Sequence, residues 1–527
     1  MASDADVPGQ IAELITLGVG LLEAGNLKAA ADLFTGLRAI DPANPEISKQ
    51  LGIVAATSGD FPAAIPFLLD ALAARPDDIL AHNVLSVCRF ETGDFEGALG
   101  SADRALALLP RFAPAHNNRG NALWRLGRLA EGLKAFQAAK ALTPEDAALH
   151  VNIANIERDL GQTEAALQSL DRALQLDRNI PQAYNRGNVL QDLGRHEEAV
   201  RSYDEALKLE PNSVSAHWNR ALCNLLMGRF EDGWRDYEWR WRRDSPENVP
   251  RNFPAPLWLG QAPLAGKTIL LHGEQGLGDC IQFIRYAPLV AARGATVLVE
   301  VVAPLVDLFT SVEGVSEVFR RGGPLPAVDF QCPLMSLPLA LGDFGGAPDV
   351  PTPYLAPSPE KRAAWRDRLG STERPRVGLV GSGSPTHRAD HLRSVPLADL
   401  AATFPVGPQY HLLQRDLTSA DRAALGELGG IAFWGDHLGD FTDTAALCEL
   451  MDLVISVDTS VAHLAGALAA PVRILVAFDP DWRWGRRVET SPWYPSARIL
   501  RQAARGDWSA PLALVAREIT ELDAARR

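Results

Sequence analysis

The sequence predicts an α-helical repeat array followed by two α/β halves. Glycines recur every 33 or 34 residues through the first half of the chain, and short strand-like runs alternate with helical runs in the second half. A fixed period of this length is typical of stacked helical units, whereas alternating strands and helices indicate parallel sheets. Proline-rich stretches separate the parts. We expect the array over 11–244, a linker over 245–266, and α/β halves over 267–359 and 360–527.

Composition narrows the class of protein. The chain has 527 residues and a net charge of −14, which argues against nucleic acid or anionic membrane as a general partner. Its five cysteines are scattered without a C-x-x-C pair, which argues against a disulfide framework and a zinc site. The N-terminus lacks a secretion signal, and no apolar run is long enough to cross a bilayer. We therefore expect a cytoplasmic protein with no metal site and no membrane span.

The repeats carry a consistent signature. The glycines predicted to form the turn within each unit are Gly25, Gly59, Gly93, Gly127, Gly161, Gly194 and Gly228. Prolines keep the same phase at Pro42, Pro76, Pro110, Pro144 and Pro211. Small residues and aromatics follow at fixed offsets on the second helix, where they let paired helices approach and fill the groove between them. The pattern resembles the tetratricopeptide repeat over seven units.

Two rows of asparagines lie on the first helix of the late repeats. The first row is Asn118, Asn152, Asn185 and Asn219. The second row, three residues further on, is Asn121, Asn155 and Asn188. Asparagine is a poor residue for a helix interior, so the rows need a reason. Either their amides bind the backbone of an extended acceptor peptide on the concave surface, which we favour, or they bond neighbouring helices. A similar ladder occurs in eukaryotic O-linked N-acetylglucosamine transferases, which this half resembles in architecture.

The array ends in the run GWRDYEWRWRRD, Gly233–Asp244, where aromatics alternate with arginines. A basic and aromatic run of this kind can bind nucleic acid. The acidic balance of the chain favours the alternative that a capping helix packs its tryptophans on the following domain.

The first α/β half opens with a strand that runs through glycines into a helix. Thr268–Leu271 is apolar, and the helix is expected to begin at Asp279. Such a junction presents backbone N–H groups to an anionic ligand, so Gly276 and Gly278 are candidate donor-binding residues.

Three stretches of the second half follow predicted strands, where ligands of parallel sheets bind. The first gives Gly381, Ser382, Ser384, His387 and Arg393. The second gives Gln414 and Arg415. The third gives Asp458, Thr459, Ser460 and His463. Small residues and cations suit a phosphate. For the third stretch, Asp458 or Thr459 acting as a helix N-cap, with His463 merely packed, is the structural alternative.

The segments GLGDCIQF and DTSVAHLAGALAAPV, Gly276–Phe283 and Asp458–Val472, resemble bacterial GT-B glycosyltransferases related to the lipopolysaccharide heptosyltransferases. This resemblance implies a GT-B fold, two Rossmann-like domains with a cleft between them. It implies Asp279 as the general base and the four residues of the third stretch around a nucleotide-sugar donor. The third position of the D-T-G motif is Ser460 here, and Arg393 or Arg415 stands in for the usual lysine.

The repeats, the transferase unit and the segment Pro480–Pro495 together resemble repeat-linked bacterial protein glycosyltransferases, some of which modify flagellin in the cytoplasm. The resemblance implies an inverting, metal-independent transfer of sugar from a nucleotide-sugar to Ser or Thr of a protein, with a flagellin-like acceptor. The donor is a co-substrate, and no cofactor is expected. The nucleotide stays open, CMP-activated nonulosonic acids included. A glycan or lipid-linked acceptor, a degenerate scaffold, and Asp279 as a cap only are the alternatives.

Overall fold

The computed structural model describes residues 7–178, 183–244, 251–383, 390–486 and 488–527. The chain divides into two compact units, Met1–Pro211 and Asn212–Arg527. This boundary lies before the seventh repeat, whereas the sequence predicts the end of the array at residue 244. The seventh repeat is therefore part of the second unit.

The described residues of the first unit form paired helices. Their bounds are α1 Val7–Glu23, α2 Leu27–Ile40, α3 Pro45–Thr57, α4 Phe61–Ala74, α5 Ile79–Glu91, α6 Phe95–Leu108, α7 Ala113–Arg125, α8 Leu129–Leu142, α9 Ala147–Asp159, α10 Thr163–Leu176, α11 Ala183–Asp192 and α12 His196–Leu209. The predicted turn glycines join the two helices of each pair with φ between 69° and 84°. Only glycine adopts this conformation without strain, which explains the period.

Glycines on the first helix of three repeats also let an aromatic of the second helix approach. A methyl group added at Gly120 would lie 2.6 Å from the ring of Phe136, and one at Gly187 would lie 2.4 Å from Tyr203. Phe136 and Tyr203 are completely buried as a result. Close packing within these helix pairs therefore involves glycines of the first helix, whereas the sequence pattern pointed to small residues of the second helix.

The second unit begins with the seventh repeat, α13 Val214–Leu226 and α14 Phe230–Tyr237. Trp234 on α14 is 1% exposed and meets Phe283 and Trp482 of the α/β region edge to face, with ring centroids 5.5 and 5.3 Å apart. This is the packing expected of a capping helix, and it leaves the Trp234 ring inaccessible to nucleic acid.

A buried ionic network follows α14. The Arg240 side chain is completely buried and donates to Glu238 Oε1 at 2.6 Å, to Ser336 Oγ at 2.7 Å and to Glu274 Oε1 at 3.2 Å. Burial raises the pKa of Glu274 to about 7, opposed by the nearby Arg240 cation. The network ties the end of the repeat to the loop that follows the first strand of the α/β region.

The first sheet is parallel, with strand order β3-β2-β1-β4. Its elements are β1 Thr268–His272, α15 Leu277–Phe283, α16 Ala287–Ala291, β2 Thr296–Val301, α17 Val306–Phe309, β3 Val315–Arg320, β4 Phe330–Pro333 and α18 Leu337–Leu341. The described part of the stretch predicted as a linker packs on this sheet. Trp258 is buried, and its backbone N–H donates to the backbone carbonyl of Gln331 at 2.9 Å.

The second sheet is also parallel, with strand order β10-β9-β8-β5-β6-β7. Its elements are α19 Pro359–Leu369, β5 Arg376–Val380, α20 Asp390–Arg393, α21 Leu397–Thr403, β6 Gln409–Leu412, α22 Ser419–Glu427, β7 Ile431–Phe433, α23 Phe441–Glu449, β8 Leu453–Val457, α24 Ser460–Ala467, β9 Val472–Val476, β10 Ala497–Arg501 and α25 Ser509–Arg526. The predicted fold class, a helical repeat array followed by two parallel α/β sheets, is confirmed.

Two further findings concern the whole described chain. All five cysteines are buried, and none of them forms a disulfide bond within the described residues. No helix within the described ranges combines the length and apolar character needed to span a bilayer.

Candidate functional site

A cavity of about 880 Å³ opens in the second unit where strands of both sheets end. Its lining includes the segments that follow β1, β5, β6, β8 and β9, together with residues of the seventh repeat. The volume falls in the range of about 300–1,000 Å³ usual for small-molecule sites. The strand ends of the two sheets thus meet at one pocket, as the parallel topology leads us to expect.

Asp279 lies in this cavity, at the third position of α15 rather than at its start. The helix begins at Leu277, with Gly276 as its N-cap residue. One oxygen of Asp279 accepts from the Gly276 N–H at 2.9 Å, and the other accepts from Arg483. The prediction that the helix starts at Asp279 is thus wrong by two residues. Both oxygens of Asp279 therefore accept hydrogen bonds, which stabilise the charged form of the carboxylate.

Gly278 permits a close approach between α15 and α24. A methyl group added at Gly278 would lie 2.8 Å from His463 Cδ2 and 3.5 Å from Ser460 Cα. A side chain there would therefore separate the two helices that carry the candidate motifs. Gly276 lies beside Asp279 instead. A methyl group added at Gly276 would lie 3.1 Å from Asp279 Oδ2.

The N-terminus of α24 lacks a side-chain cap. Thr459 occupies the N-cap position, but its side chain makes no capping hydrogen bond and pairs with Ser456 Oγ at 3.1 Å. The capping alternative therefore does not hold for Thr459. Helix N-termini of this kind present N–H groups and a partial positive charge, which favour an anion.

Asp458 and His463 flank that N-terminus in unusual protonation environments. Burial raises the pKa of the half-buried Asp458 to about 6, and the neighbouring Asp481 carboxylate adds to the effect. Burial, reinforced by nearby arginines, lowers the pKa of His463 well below its ordinary value. His463 is 4% exposed and bonds Tyr494 Oη through Nδ1 at 2.9 Å, so it is a neutral wall residue of the cavity.

Gly381, Ser382 and Gln414 form a hydrogen-bonded wall. Gln414 accepts from the Gly381 N–H at 3.0 Å and donates to Ser382 Oγ at 3.1 Å. A methyl group at Gly381 would lie 2.7 Å from Val395 O, so this glycine serves packing behind the cavity. Ser382 and Gln414 line the cavity itself.

The two predicted phosphate-binding arginines both line the cavity but differ in their surroundings. Arg393 donates to Asp390 at 3.1 Å, and its side chain is 19% exposed. Arg415 is exposed. Ser384 and His387, predicted for the same site, lie outside the described residues.

Arg483 is the main cavity residue that sequence reasoning missed. It is 6% exposed and donates to Asp279, to Gln282 Oε1 at 2.8 Å and to Asp481 Oδ1 at 2.8 Å. Arg483 lies in the segment Pro480–Pro495, for which the resemblance implies no site residue. The signal was available, because this segment follows β9 and thus lies at a strand end, as the other site residues do.

The first asparagine row forms hydrogen bonds between successive repeats. Asn118 Nδ2 donates to Asn83 Oδ1 at 2.9 Å, and Asn152 Nδ2 donates to Asn117 Oδ1 at 3.0 Å. Both are half-buried, as are Asn121, Asn155 and Asn185 in the first unit and Asn219 in the second. The alternative that the asparagines bond neighbouring helices therefore applies to Asn118 and Asn152, although each amide retains further hydrogen-bonding capacity.

Asn188 departs from its predicted role. It is 8% exposed and accepts from Tyr203 Oη at 2.9 Å within its own helix pair. The prediction that Asn188 contacts a peptide is wrong, because the helix turns it toward the aromatic that packs on Gly187.

Comparisons with known proteins locate the repeats. Tetratricopeptide repeat models match residues 21–88, 89–147 and 117–183, and a TPR repeat model matches 187–228. A curated relative, Protein FlbA of Caulobacter vibrioides, is 29% identical over 351 residues, which are 58% of this chain and 55% of that protein. The chain thus spans about half the length of this relative.

Solved structures with helical arrays also align with the chain. The APC/C hetero-tetramer Cut9-Hcn1 is 19% identical, covers 41% of this chain and 43% of its own, and has a TM-score of 0.38. Pseudomonas aeruginosa pilF is 19% identical over 39% of this chain and 94% of its own, with a TM-score of 0.35. MamA from Desulfovibrio magneticus RS-1 is 21% identical over 32% and 95%, with a TM-score of 0.30. On the family models and the observed helix pairs, the helical array of this chain is a tetratricopeptide repeat array.

Proposed function

We propose that the chain is an inverting, metal-independent glycosyltransferase that moves a sugar from a nucleotide-sugar to Ser or Thr of a protein held by the repeats, with a flagellin-like protein as candidate acceptor. The observation that supports it most is the junction of α15 and α24 in one cavity. A carboxylate from the first sheet and an uncapped helix N-terminus from the second face the same space.

The donor phosphates would bind at the N-terminus of α24, where N–H groups stabilise negative charge. Arg393 and Arg415 line the same cavity and supply cations. As the bond between the sugar and the phosphate breaks, these groups stabilise the leaving nucleotide. Departure of the nucleotide thus needs only groups that the chain itself supplies.

The acceptor hydroxyl would attack the anomeric carbon as a carboxylate takes its proton. Asp279 is the candidate base of the resemblance, and it becomes a better proton acceptor if donor phosphate draws Arg483 away. Tetratricopeptide repeats expose extended concave surfaces that bind protein segments. The half-buried asparagines of both rows are candidate contacts for the backbone of the acceptor.

A second candidate function is a nucleotide-binding scaffold without turnover. It is favoured by one observation, the engagement of both Asp279 oxygens by Gly276 and Arg483. The two candidates share the donor site and differ in whether sugar is transferred.

The first experiment is a thermal-shift panel of the full chain with CMP, UDP, GDP and ADP, repeated on Asp458→Ala. A nucleotide at 100 times its Kd adds about 2.7 kcal/mol of stability. We expect a shift with one nucleotide and a smaller shift in the variant. No shift with any of the four would contradict a donor site that recognises the nucleotide alone.

The second experiment separates turnover from binding. The full chain is co-expressed with a flagellin, and the flagellin mass is measured with wild type and with Asp279→Asn. A sugar adduct present only with wild type supports the transferase. A nucleotide shift with no adduct on any co-purifying protein favours the scaffold.

A further inference from the structure

The seventh repeat contributes its own wall to the cavity. Trp218 and Leu222 of α13, Tyr237 of α14 and Arg243 just beyond it line the same space as Asp279 and Asp458. The sequence pattern predicts a packing role for the run Gly233–Asp244, which contains Tyr237 and Arg243, and it singles out neither Trp218 nor Leu222. A repeat that served only to cap the array would have no need to present a tryptophan and an arginine to a ligand-sized cavity.

Trp218 and Arg243 form a preassembled pair. The guanidinium carbon of Arg243 lies 4.3 Å from the centroid of the Trp218 ring, and the Tyr237 ring lies 5.0 Å from Trp218. Trp218 and Arg243 are both half-buried. Stacking on an aromatic face fixes the plane of a guanidinium and leaves its N–H groups for a planar anion such as a carboxylate.

Arg243 forms no ion pair with any acidic side chain that the structure describes. Four arginines line it, of which Arg393 pairs with Asp390 and Arg483 pairs with Asp279 and Asp481. Among the described residues, no ion pair is formed by Arg243 or Arg415. Arg415 follows β6 of the second sheet, beside the candidate donor phosphates, whereas Arg243 belongs to the repeat that would lead the acceptor in.

We propose that Trp218 and Arg243 form an acceptor subsite that selects protein segments carrying an Asp or Glu side chain close to the modified Ser or Thr. Arg243 pairs with the acidic side chain, and Trp218 and Leu222 cover the neighbouring backbone and apolar groups. This inference rests on the proposed function and specifies its acceptor. A carboxylate on the donor sugar offers the same chemistry, and the experiment distinguishes the two sources.

The test measures binding of fluorescein-labelled peptides to the full chain by anisotropy, in the presence of the nucleotide that gives a thermal shift. Each peptide has one central Thr in a Gly-Ser frame, with a single Asp, Asn or Lys at one flanking position. We expect the best Asp peptide to bind roughly tenfold more tightly than its Asn counterpart, as a charge-assisted hydrogen bond contributes on the order of 1.5 kcal/mol. Arg243→Glu should reverse this preference toward the Lys peptide.

Arg242→Glu is the matched control. This substitution changes the charge by the same amount one residue away from Arg243. Arg242 is exposed, its guanidinium carbon lies 4.2 Å from the centroid of the Trp239 ring, and it does not line the cavity. It should leave the preference unchanged. Trp218→Ala should weaken binding of both peptides and also reduce the preference for Asp, because it removes the ring surface and releases the Arg243 guanidinium that the ring holds in plane.

Three outcomes overturn the inference. The first is an equal response of the Arg242 and Arg243 variants, and the second is no preference for Asp in wild type. The third is a loss of nucleotide-sugar affinity, rather than of peptide preference, in Arg243→Glu, which would assign the carboxylate to the donor sugar. Failure of the proposed function is separate, since it shows as the absence of a sugar adduct with the wild-type chain, whereas the inference fails in the peptide preference.

Discussion

Arg483 and Asp279, 204 residues apart in the chain, form a salt bridge that joins α15 to the segment after β9. The Arg483 side chain is 7% exposed and that of Asp279 is 21% exposed, so the pair is largely removed from water. Arg483 also holds Asp481 at 2.8 Å. The pair therefore links the two sheets at the floor of the cavity and orients the candidate base.

Arg483→Met should destabilise the chain by about 3 kcal/mol, because it leaves the half-buried Asp279 carboxylate without its cation. A double-mutant cycle with Asp279→Asn should give a coupling free energy of about 1–3 kcal/mol. Arg505→Met with Asp479→Asn is the control cycle, since those side chains are 63% and 55% exposed. Its coupling should stay below about 1 kcal/mol. Denaturant unfolding measures both, and equal couplings would contradict a structural role for Arg483.

Gly278→Ala should lower stability by about 1–3 kcal/mol, because the new methyl group presses on His463. It should also weaken the nucleotide-dependent thermal shift, since α24 must move. Gly426→Ala on α22 is the control, with nothing within 4 Å of the added methyl group. That change should stabilise by about 0.5–1 kcal/mol through helix propensity. A Gly278→Ala protein as stable as wild type would show that the two helices are not in close contact.

The stability of the chain should fall as pH rises through 7, in part because of Glu274. Its pKa is raised from 4.5 to about 7 by burial, so the folded protein binds the proton more tightly than the unfolded chain. This contribution is fully present below about pH 4.5 and is lost as the pH passes 7, to a total on the order of 2–3 kcal/mol. In Glu274→Gln that component should vanish. The free energy of unfolding of wild type and of Glu274→Gln is measured at pH 5 and at pH 8. A fall of the same size in both proteins would contradict the role of Glu274.

Alanine substitutions of Asn155 and Asn188 should distinguish an asparagine that binds the acceptor from one that stabilises the helix pair. Asn188→Ala removes the buried partner of Tyr203 and should cost about 1–2 kcal/mol of stability without weakening acceptor binding. Asn155→Ala changes a half-buried surface amide and should cost less than about 0.5 kcal/mol while weakening acceptor binding. Circular dichroism at 222 nm during urea unfolding and a pull-down of the acceptor provide the two readouts. The reverse pattern would contradict the peptide-binding role of the second row.

Local chemistry explains why the fold was predictable from the sequence. Each turn glycine of the array needs a left-handed backbone, and most of the described strands contain a run of apolar residues. β10, Ala497–Arg501, is harder to recognise in the sequence because Arg498 and Arg501 leave only two consecutive apolar residues in it. The unit boundary at Pro211 leaves no trace in the sequence, because the repeat period continues unchanged across it.

The candidate site was predictable where a strand end carries a motif, as at Asp279 and Asp458. Arg483 and Trp218 escaped because their roles depend on contacts with residues distant in the sequence. The orientation of Asn188 also lay beyond the pattern, since a spacing of three residues places it near the first row but does not say which side of the helix faces Tyr203.

The contacts of Trp234 bear on how this chain can be divided for expression. A fragment that ends or begins at Asp244 separates Trp234 from Phe283 and Trp482, and so divides a hydrophobic core. A fragment of the α/β region therefore needs the seventh repeat, which also supplies Trp218 and Arg243 to the wall of the cavity.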